Sequence, residues 1–217
     1  MQRAGPPRER PALRGQFHAG AFWLAIPAGV VLVTLADGSK AQVAAAIFGA
    51  SVVGMFGASA LYHRFGRSEA ARRVLRRLDQ VGIFGLIAGS YTSVGLLVLG
   101  GASRIVVLAI VWTGVFVGIV GKSVWVTAPK WLSAAIGIGL GWVGISVFPQ
   151  LLHRGGITPA MLILAGGALY TLGAIVYVRR RPDPAPALFG YHEVFHVLVV
   201  TAVGLQYAAV ASLVARS

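Results

Sequence analysis

Seven apolar stretches, each about as long as a bilayer is thick, constrain this chain more than any other feature. A hydrocarbon core of about 30 Å requires roughly 20 predominantly apolar residues in helical form. Such stretches occupy residues 17–36, 41–62, 79–100, 104–121, 131–152, 159–178 and 191–215. The sequence therefore predicts an all-α integral membrane protein, folded as a seven-transmembrane helix bundle.

The composition agrees with this class and excludes others. Charged residues make up 12% of the chain, whereas a soluble domain has about a quarter. Cysteine is absent, which excludes a disulfide framework and thiolate metal ligands. The net charge of +13 is spread between apolar stretches rather than over one folded basic face. We therefore expect no nucleic-acid partner, and membrane lipids with anionic headgroups as the counterions; the oligomeric state stays open.

The distribution of lysine and arginine predicts how the bundle is oriented. Cytoplasmic loops retain these residues, and 15 of the 19 fall on the side of the N-terminus. They are Arg3, Arg8, Arg10, Arg14, Arg64, Arg67, Arg72, Arg73, Arg76, Arg77, Lys122, Lys130, Arg179, Arg180 and Arg181. We expect a cytoplasmic N-terminus, an external C-terminus and a multi-pass protein of the bacterial plasma membrane. Residues 1–16 would form a basic cytoplasmic arm and residues 17–217 the transmembrane domain.

The second cytoplasmic loop has an apolar pattern of its own. Ala71, Val74, Leu75 and Leu78 recur at helical spacing, with arginines on the opposite face. This pattern is typical of a short interfacial helix. A solvated basic loop is the alternative.

Ionisable residues within the apolar stretches converge on one end of the predicted bundle. Such residues are costly in lipid, by about 2.5 to 3.5 kcal/mol each, so their positions are informative. Ser59 and His63 lie four apart near the cytoplasmic end of the second helix, and His192 and His196 lie four apart near the same end of the seventh. Residues four apart share a helix face. Asp79 begins the third helix at the same level.

Three neutral imidazoles with an open fourth position are a common catalytic zinc arrangement. We therefore expect His63, His192 and His196 to bind Zn²⁺. Asp79 would accept a hydrogen bond from water or from a ligand histidine, and Ser59 would donate one nearby. Zinc lowers the pKa of water to about 7, so hydrolysis of an amide or ester is the chemistry this set suits. Interfacial histidines with no metal are the alternative.

Other polar residues are interpreted more simply. The segment from His192 to His196 also fits the H-E-x-x-H pattern, in which the glutamate is a general base. The chain has no soluble domain with a substrate cleft, so we expect Glu193 to reach the interface beside Arg179–Arg181. Gln206 is expected to form a hydrogen bond between helices. His18 and His153 stand alone and receive no role.

At these positions the chain resembles the hemolysin III family, the bacterial branch of the superfamily that includes the progestin and adipoQ receptors. The resemblance is carried by Pro11–Gly15, Ser59–His63, Leu78–Asp79 with Leu86–Thr92, and His192–His196. It implies seven helices, an internal N-terminus, and zinc held by three histidines beside an aspartate and a serine. By motif these are His63, His192, His196, Asp79 and Ser59. Gln80 and Ser93 depart from the family pattern, which often has histidine and proline there.

The resemblance also implies kinship with alkaline ceramidases, and its family name implies pore formation. We therefore expect a zinc-dependent hydrolase of a lipid amide or ester at the cytoplasmic face. One alternative is a non-enzymatic sensor or receptor-like protein in which zinc only ties helices together. A pore-forming cytolysin ranks third, because the ionisable groups cluster at one end instead of lining a channel.

Overall fold

The fold is described from a computed structural model that covers residues 11–65, 68–125 and 129–216. Within these ranges, seven helices are long and apolar enough to cross a membrane. They are α1 Gln16–Thr34, α2 Gly38–Phe65, α3 Glu69–Leu97, α4 Gly101–Val124, α5, α6 Ile157–Arg179 and α7 Tyr191–Val214. α5 has a regular part, Lys130–Trp142, and an irregular continuation that ends at Gly155. The predicted all-α class and the seven spans are confirmed.

The N-terminal part of α3 corrects the expectation for the second cytoplasmic loop. Residues 71–78 form neither a separate interfacial helix nor a solvated loop, because α3 runs without interruption from Glu69 to Leu97. Ser68 caps this helix by accepting a hydrogen bond from the Ala71 amide at 3.2 Å. A capped first turn lets helical hydrogen bonding propagate into the apolar stretch.

α5 is irregular in its second half. After Trp142 the backbone passes through a 3₁₀ segment, Val143–Val147, one helical turn and a π-type turn, Leu151–Gly155. The Tyr91 hydroxyl of α3 lies at the first change of geometry, 2.6 Å from the Gly144 amide nitrogen and 2.7 Å from the Gly141 carbonyl oxygen. Interruptions of this kind are often found beside functional sites.

Apolar packing forms separate clusters on two sides of the bundle. One cluster joins α1, α2 and α7 around the buried side chains of Leu32, Phe48 and Val210. Another joins α3, α4 and α5 around Phe84 and Val111. Residues of α3, α5, α6 and α7 line a cavity in the interior.

The chain before α1 is tied to the connection between α6 and α7. The Ala12 and Leu13 amides donate to the carbonyls of Ala187 and Leu188, at 3.0 and 3.2 Å. Gly15 then turns the chain into α1 with a left-handed φ of 78°. Residues 1–10 of the predicted basic arm lie outside the described residues.

Candidate metal centre

Two helix ends present the three histidines predicted from the sequence. α2 carries His63 in its last turn and α7 carries His192 and His196 in its first two turns. The structure brings these three together, with one ligand nitrogen from each ring within 4.8 Å of the others. The Nε2 atoms of His63 and His192 are 3.2 Å apart.

The distance between the His63 and His192 nitrogens suits a small divalent ion. Two nitrogens bonded to a tetrahedral zinc at 2.0–2.1 Å lie about 3.3 Å from each other. His196 Nδ1 is buried and has no hydrogen-bond partner within the described residues. An unpartnered buried nitrogen normally costs about 1–3 kcal/mol, a cost that coordination to an ion would remove. The donor set is therefore compatible with a metal ion that favours imidazole.

Burial distinguishes this cluster from interfacial histidines. The His196 side chain is only 1% exposed, and its ring packs against those of His63 and His192. His63 and His192 are half-buried. The alternative of water-facing histidines therefore does not describe His196.

Asp79 and Ser59 lie beside the histidines. Ser59 is buried within α2, and its hydroxyl lies close to the Asp79 carboxylate. Asp79 and Ser59 line the same interior cavity as the three histidines. The structure thus assembles all five residues singled out from the sequence.

His18 is a neighbour of the site that the sequence interpretation left unassigned. Its Nδ1 lies 2.8 Å from Ser59 Oγ. Its ring stacks on that of His196, with centroids 3.8 Å apart and planes 6° from parallel. The sequence contains one signal for His18, because it is an ionisable residue inside an apolar segment, and such residues are functional candidates by default.

Glu193 corrects the expectation of an interfacial side chain. It is fully buried, and its Oε1 pairs with Arg14 Nε at 2.6 Å. Its Oε2 accepts a hydrogen bond from the Gly190 amide at 3.0 Å. The prediction was wrong because the first turn of α7 faces the segment before α1, where Arg14 compensates the buried charge. Both carboxylate oxygens are engaged, which argues against a general-base role.

The first turn of α7 is held from outside as well. The Tyr191 amide donates to Asp183 Oδ1 at 2.8 Å. Together with Glu193, this places two carboxylates at the N-terminus of α7, where the helix dipole favours negative charge. These contacts fix the turn that carries His192.

The cluster opens into a cavity of about 540 Å³ between α3, α5, α6 and α7. Its volume falls in the range of small-molecule sites. Arg72 and Arg76 line its histidine end, while Leu151 and Val210 line the opposite part. Leu151 also belongs to a buried apolar cluster with Val98, Ala160 and Leu213.

Midway along the cavity, Gln206 joins three helices. Its Oε1 accepts hydrogen bonds from Ser90 of α3 and Tyr170 of α6, each at 3.3 Å. The predicted hydrogen bond between helices is confirmed.

Comparisons with known proteins identify a family. A family model described as "Haemolysin-III related" matches residues 8–207. A "Hemolysin-3 homolog" of Bacillus subtilis (strain 168) is 31% identical over 187 residues, covering 84% of each chain. The "Hemolysin-3" of Bacillus cereus is 31% identical over 180 residues, covering 82% of this chain and 79% of the relative. The chain belongs to the haemolysin III family.

Proposed function

We propose that the protein binds zinc at His63, His192 and His196 and hydrolyses the amide or ester bond of a lipid. The observation that carries the proposal is the convergence of three imidazoles from α2 and α7 at the end of a lipid-sized cavity. Three neutral imidazoles leave zinc a fourth position for water or substrate.

The chemistry divides between the ion and the chain. When bound, zinc supplies Lewis-acid polarisation of a carbonyl oxygen and makes nearby water more acidic. Asp79 accepts a proton as that water attacks the carbonyl carbon, and returns the proton to the amine or alcohol that leaves. Ser59 donates a hydrogen bond that fixes the Asp79 carboxylate. The cavity accommodates the acyl chain and excludes bulk water.

The location of the site follows from the charge asymmetry. The histidine end of the bundle is the arginine-rich end, so we assign it to the cytoplasmic face of a bacterial plasma membrane. Arg72 and Arg76, at the mouth of the cavity, suit anionic headgroups there. Residues 1–16 belong to the same face as a basic arm.

Metal analysis tests the first half of the proposal. Purified wild-type protein should retain close to one zinc per chain, measured by plasma mass spectrometry, and the His192→Ala/His196→Ala double variant should retain almost none. His153→Ala is the matched control, because His153 is exposed at the other end of the bundle. Equal zinc content in the double variant and the wild type would show that these histidines do not bind the metal.

Turnover tests the second half. Metal-loaded protein in mixed micelles should hydrolyse one or more members of a lipid amide and ester panel, and chelation should stop it. Asp79→Ala, assayed at saturating zinc, should lose about two to four orders of magnitude in rate, the contribution typical of general acid–base catalysis. A metal-loaded wild type inactive on the whole panel, with an Asp79→Ala variant that loses only stability, would favour the sensor with structural zinc.

Pore formation is the third candidate, and the names of the two relatives suggest it. A water-filled path needs polar side chains along its whole length. At the end of the bundle opposite the histidines, Val98, Leu151, Ala160 and Leu213 instead form a buried apolar cluster. If the protein forms a pore, vesicles that contain it should release a trapped dye faster than protein-free vesicles.

A further inference from the structure

His18 is buried, it contacts two members of the candidate centre, and the proposed chemistry does not use it. It comes from α1, which carries none of the predicted ligands, and is 3% exposed. The Phe56 ring packs edge-on against the His18 ring at 5.1 Å between centroids. The His18 side chain is therefore held from three directions, by Ser59, His196 and Phe56.

The stacking geometry distinguishes positioning from ligation. A nitrogen lone pair lies in the plane of its imidazole ring. Two rings stacked face to face, 3.8 Å apart and 6° from parallel, direct their lone pairs along parallel planes, so the two do not converge on one ion. His18 accordingly stands outside the group of three whose ligand atoms converge. Its ring instead covers one face of His196 and restricts rotation about the His196 side-chain torsions.

The hydrogen bonds assign a direction to the polar chain. Ser59 lies close to Asp79, and an ionised carboxylate only accepts, so the Ser59 hydroxyl is expected to donate its one proton to Asp79. The Ser59 oxygen then accepts from His18, which makes His18 Nδ1 the protonated nitrogen at the 2.8 Å contact. The order is His18 Nδ1–H to Ser59 Oγ–H to Asp79.

We propose that His18 is a positioning residue of the metal centre: its ring holds His196 in a fixed plane, and its Nδ1–H turns the Ser59 hydroxyl towards Asp79. The proposal rests on the proposed metal site. Residues that orient metal ligands typically change metal affinity by 10–100-fold when they are replaced.

Two substitutions separate the two contacts. His18→Phe keeps an aromatic ring on His196 but cannot donate to Ser59, whereas His18→Asn keeps a donor and removes the stacked ring. His153→Phe and His153→Asn are the matched controls. Each variant is reconstituted in nanodiscs, checked for helix content by circular dichroism, and loaded with Co²⁺, whose visible absorption reports ligand geometry.

The expected results differ between the variants. His18→Asn should bind Co²⁺ at least ten-fold more weakly than wild type, with shifted visible bands, while His18→Phe should keep the wild-type spectrum. Ser59→Ala should change the Co²⁺ affinity in the wild-type background and have a smaller effect in the His18→Phe background, because the contact between His18 and Ser59 has already been lost there.

The outcomes that overturn the inference are distinct from those that overturn the metal site. Wild-type affinity and spectrum in folded His18→Asn would remove the stacking role. A Ser59→Ala effect of equal size in both backgrounds would remove the hydrogen-bonding role. Loss of Co²⁺ binding in His18→Phe would show His18 to be a ligand instead. A folded wild-type protein that binds no Co²⁺ would overturn the metal site itself, and with it this role of His18.

Discussion

Single residues in the segment before α1 determine how closely this segment approaches the candidate centre. A Cβ atom at position 15 would lie 2.5 Å from the Cβ of His63, and Gly15 also has a positive φ. Glycine adopts this conformation without steric cost, whereas other L-residues lose about 1–2 kcal/mol. Glycine at position 15 thus lets the backbone before α1 pack directly against His63, so a larger residue there should displace His63.

Gly15→Ala should displace His63 and weaken Co²⁺ binding by about ten-fold, the lower limit for disturbing a residue that orients a ligand. The matched control is Gly20→Ala, because no atom lies within 4 Å of a Cβ built there. Chelator competition measures both affinities. Equal affinities for the two variants would contradict the coupling.

Arg14 is the partner of a fully buried carboxylate, so its loss should be costly. Arg14→Ala leaves Glu193 charged, buried and without its partner, which typically destabilises a protein by about 3–5 kcal/mol. We expect a large fall in the thermal unfolding temperature of the detergent-solubilised protein.

Arg73→Ala provides the comparison for Arg14→Ala. Arg73 also forms an ion pair, with Glu69 at 3.8 Å, but both side chains are exposed. Such pairs contribute little to stability, so this variant should unfold at the wild-type temperature. Similar unfolding temperatures for Arg14→Ala and Arg73→Ala would show that the buried ion pair contributes no more to stability than the exposed one.

Among the helices, α5 differs most from a regular transmembrane span, and Tyr91 is the side chain that meets its irregular part. The Tyr91 hydroxyl also lies 3.0 Å from the Leu140 carbonyl, so it contacts the backbone on both sides of the α-to-3₁₀ change. Because α5 forms one wall of the cavity, this contact helps to set the shape of the space that a lipid chain would enter.

Tyr91→Phe should leave the Gly144 amide without a partner and destabilise the second half of α5 by about 1–3 kcal/mol. Hydrogen exchange should become faster across residues 140–147. The control is Tyr207→Phe, since Tyr207 donates to Ala28 O inside α1, where the carbonyl keeps its helical partner. Unchanged exchange in residues 140–147 would exclude Tyr91 as the residue that holds this geometry.

The helices were predictable from the sequence because lipid requires long, uninterrupted apolar stretches. His63, Asp79, His192 and His196 were also predictable as a group, since each stands at the end of such a stretch at one level of the bundle. The break in α5 was not, because it depends on a Tyr91 contact from another helix. The contacts of His18 and Glu193 were not predictable either, since they depend on how α1 and α7 are rotated about their axes.

At the scale of the whole molecule, the arginine-rich end and the histidine cluster coincide. The orientation of the bundle therefore decides which compartment the proposed site faces. Because the natural sequence contains no cysteine, single introduced thiols report that orientation without background. Ser39, in the first turn of α2, and Ala70, in the first turn of α3, are exposed positions near opposite ends of the bundle.

A membrane-impermeant maleimide should label Ser39→Cys in intact spheroplasts and label Ala70→Cys only after the membrane is opened. The cysteine-free wild type is the control for nonspecific labelling. Labelling in the reverse order would place the histidine cluster on the external side and overturn the proposed cytoplasmic location.

The pairing of Arg14 with Glu193 and of His63 with His192 has a consequence for how the protein is made. Synthesis proceeds from the N-terminus at about 5–20 residues per second. His192 follows His63 by 129 positions and therefore emerges from the ribosome roughly 6–26 s later. Until then His63 lacks His192, and Arg14 lacks Glu193. A chain truncated before α7 would still contain apolar segments able to insert, but it would lack two of the three histidines and the carboxylate that neutralises Arg14. Arrival of α7 thus supplies the remaining histidines of the candidate centre and the partner of Arg14.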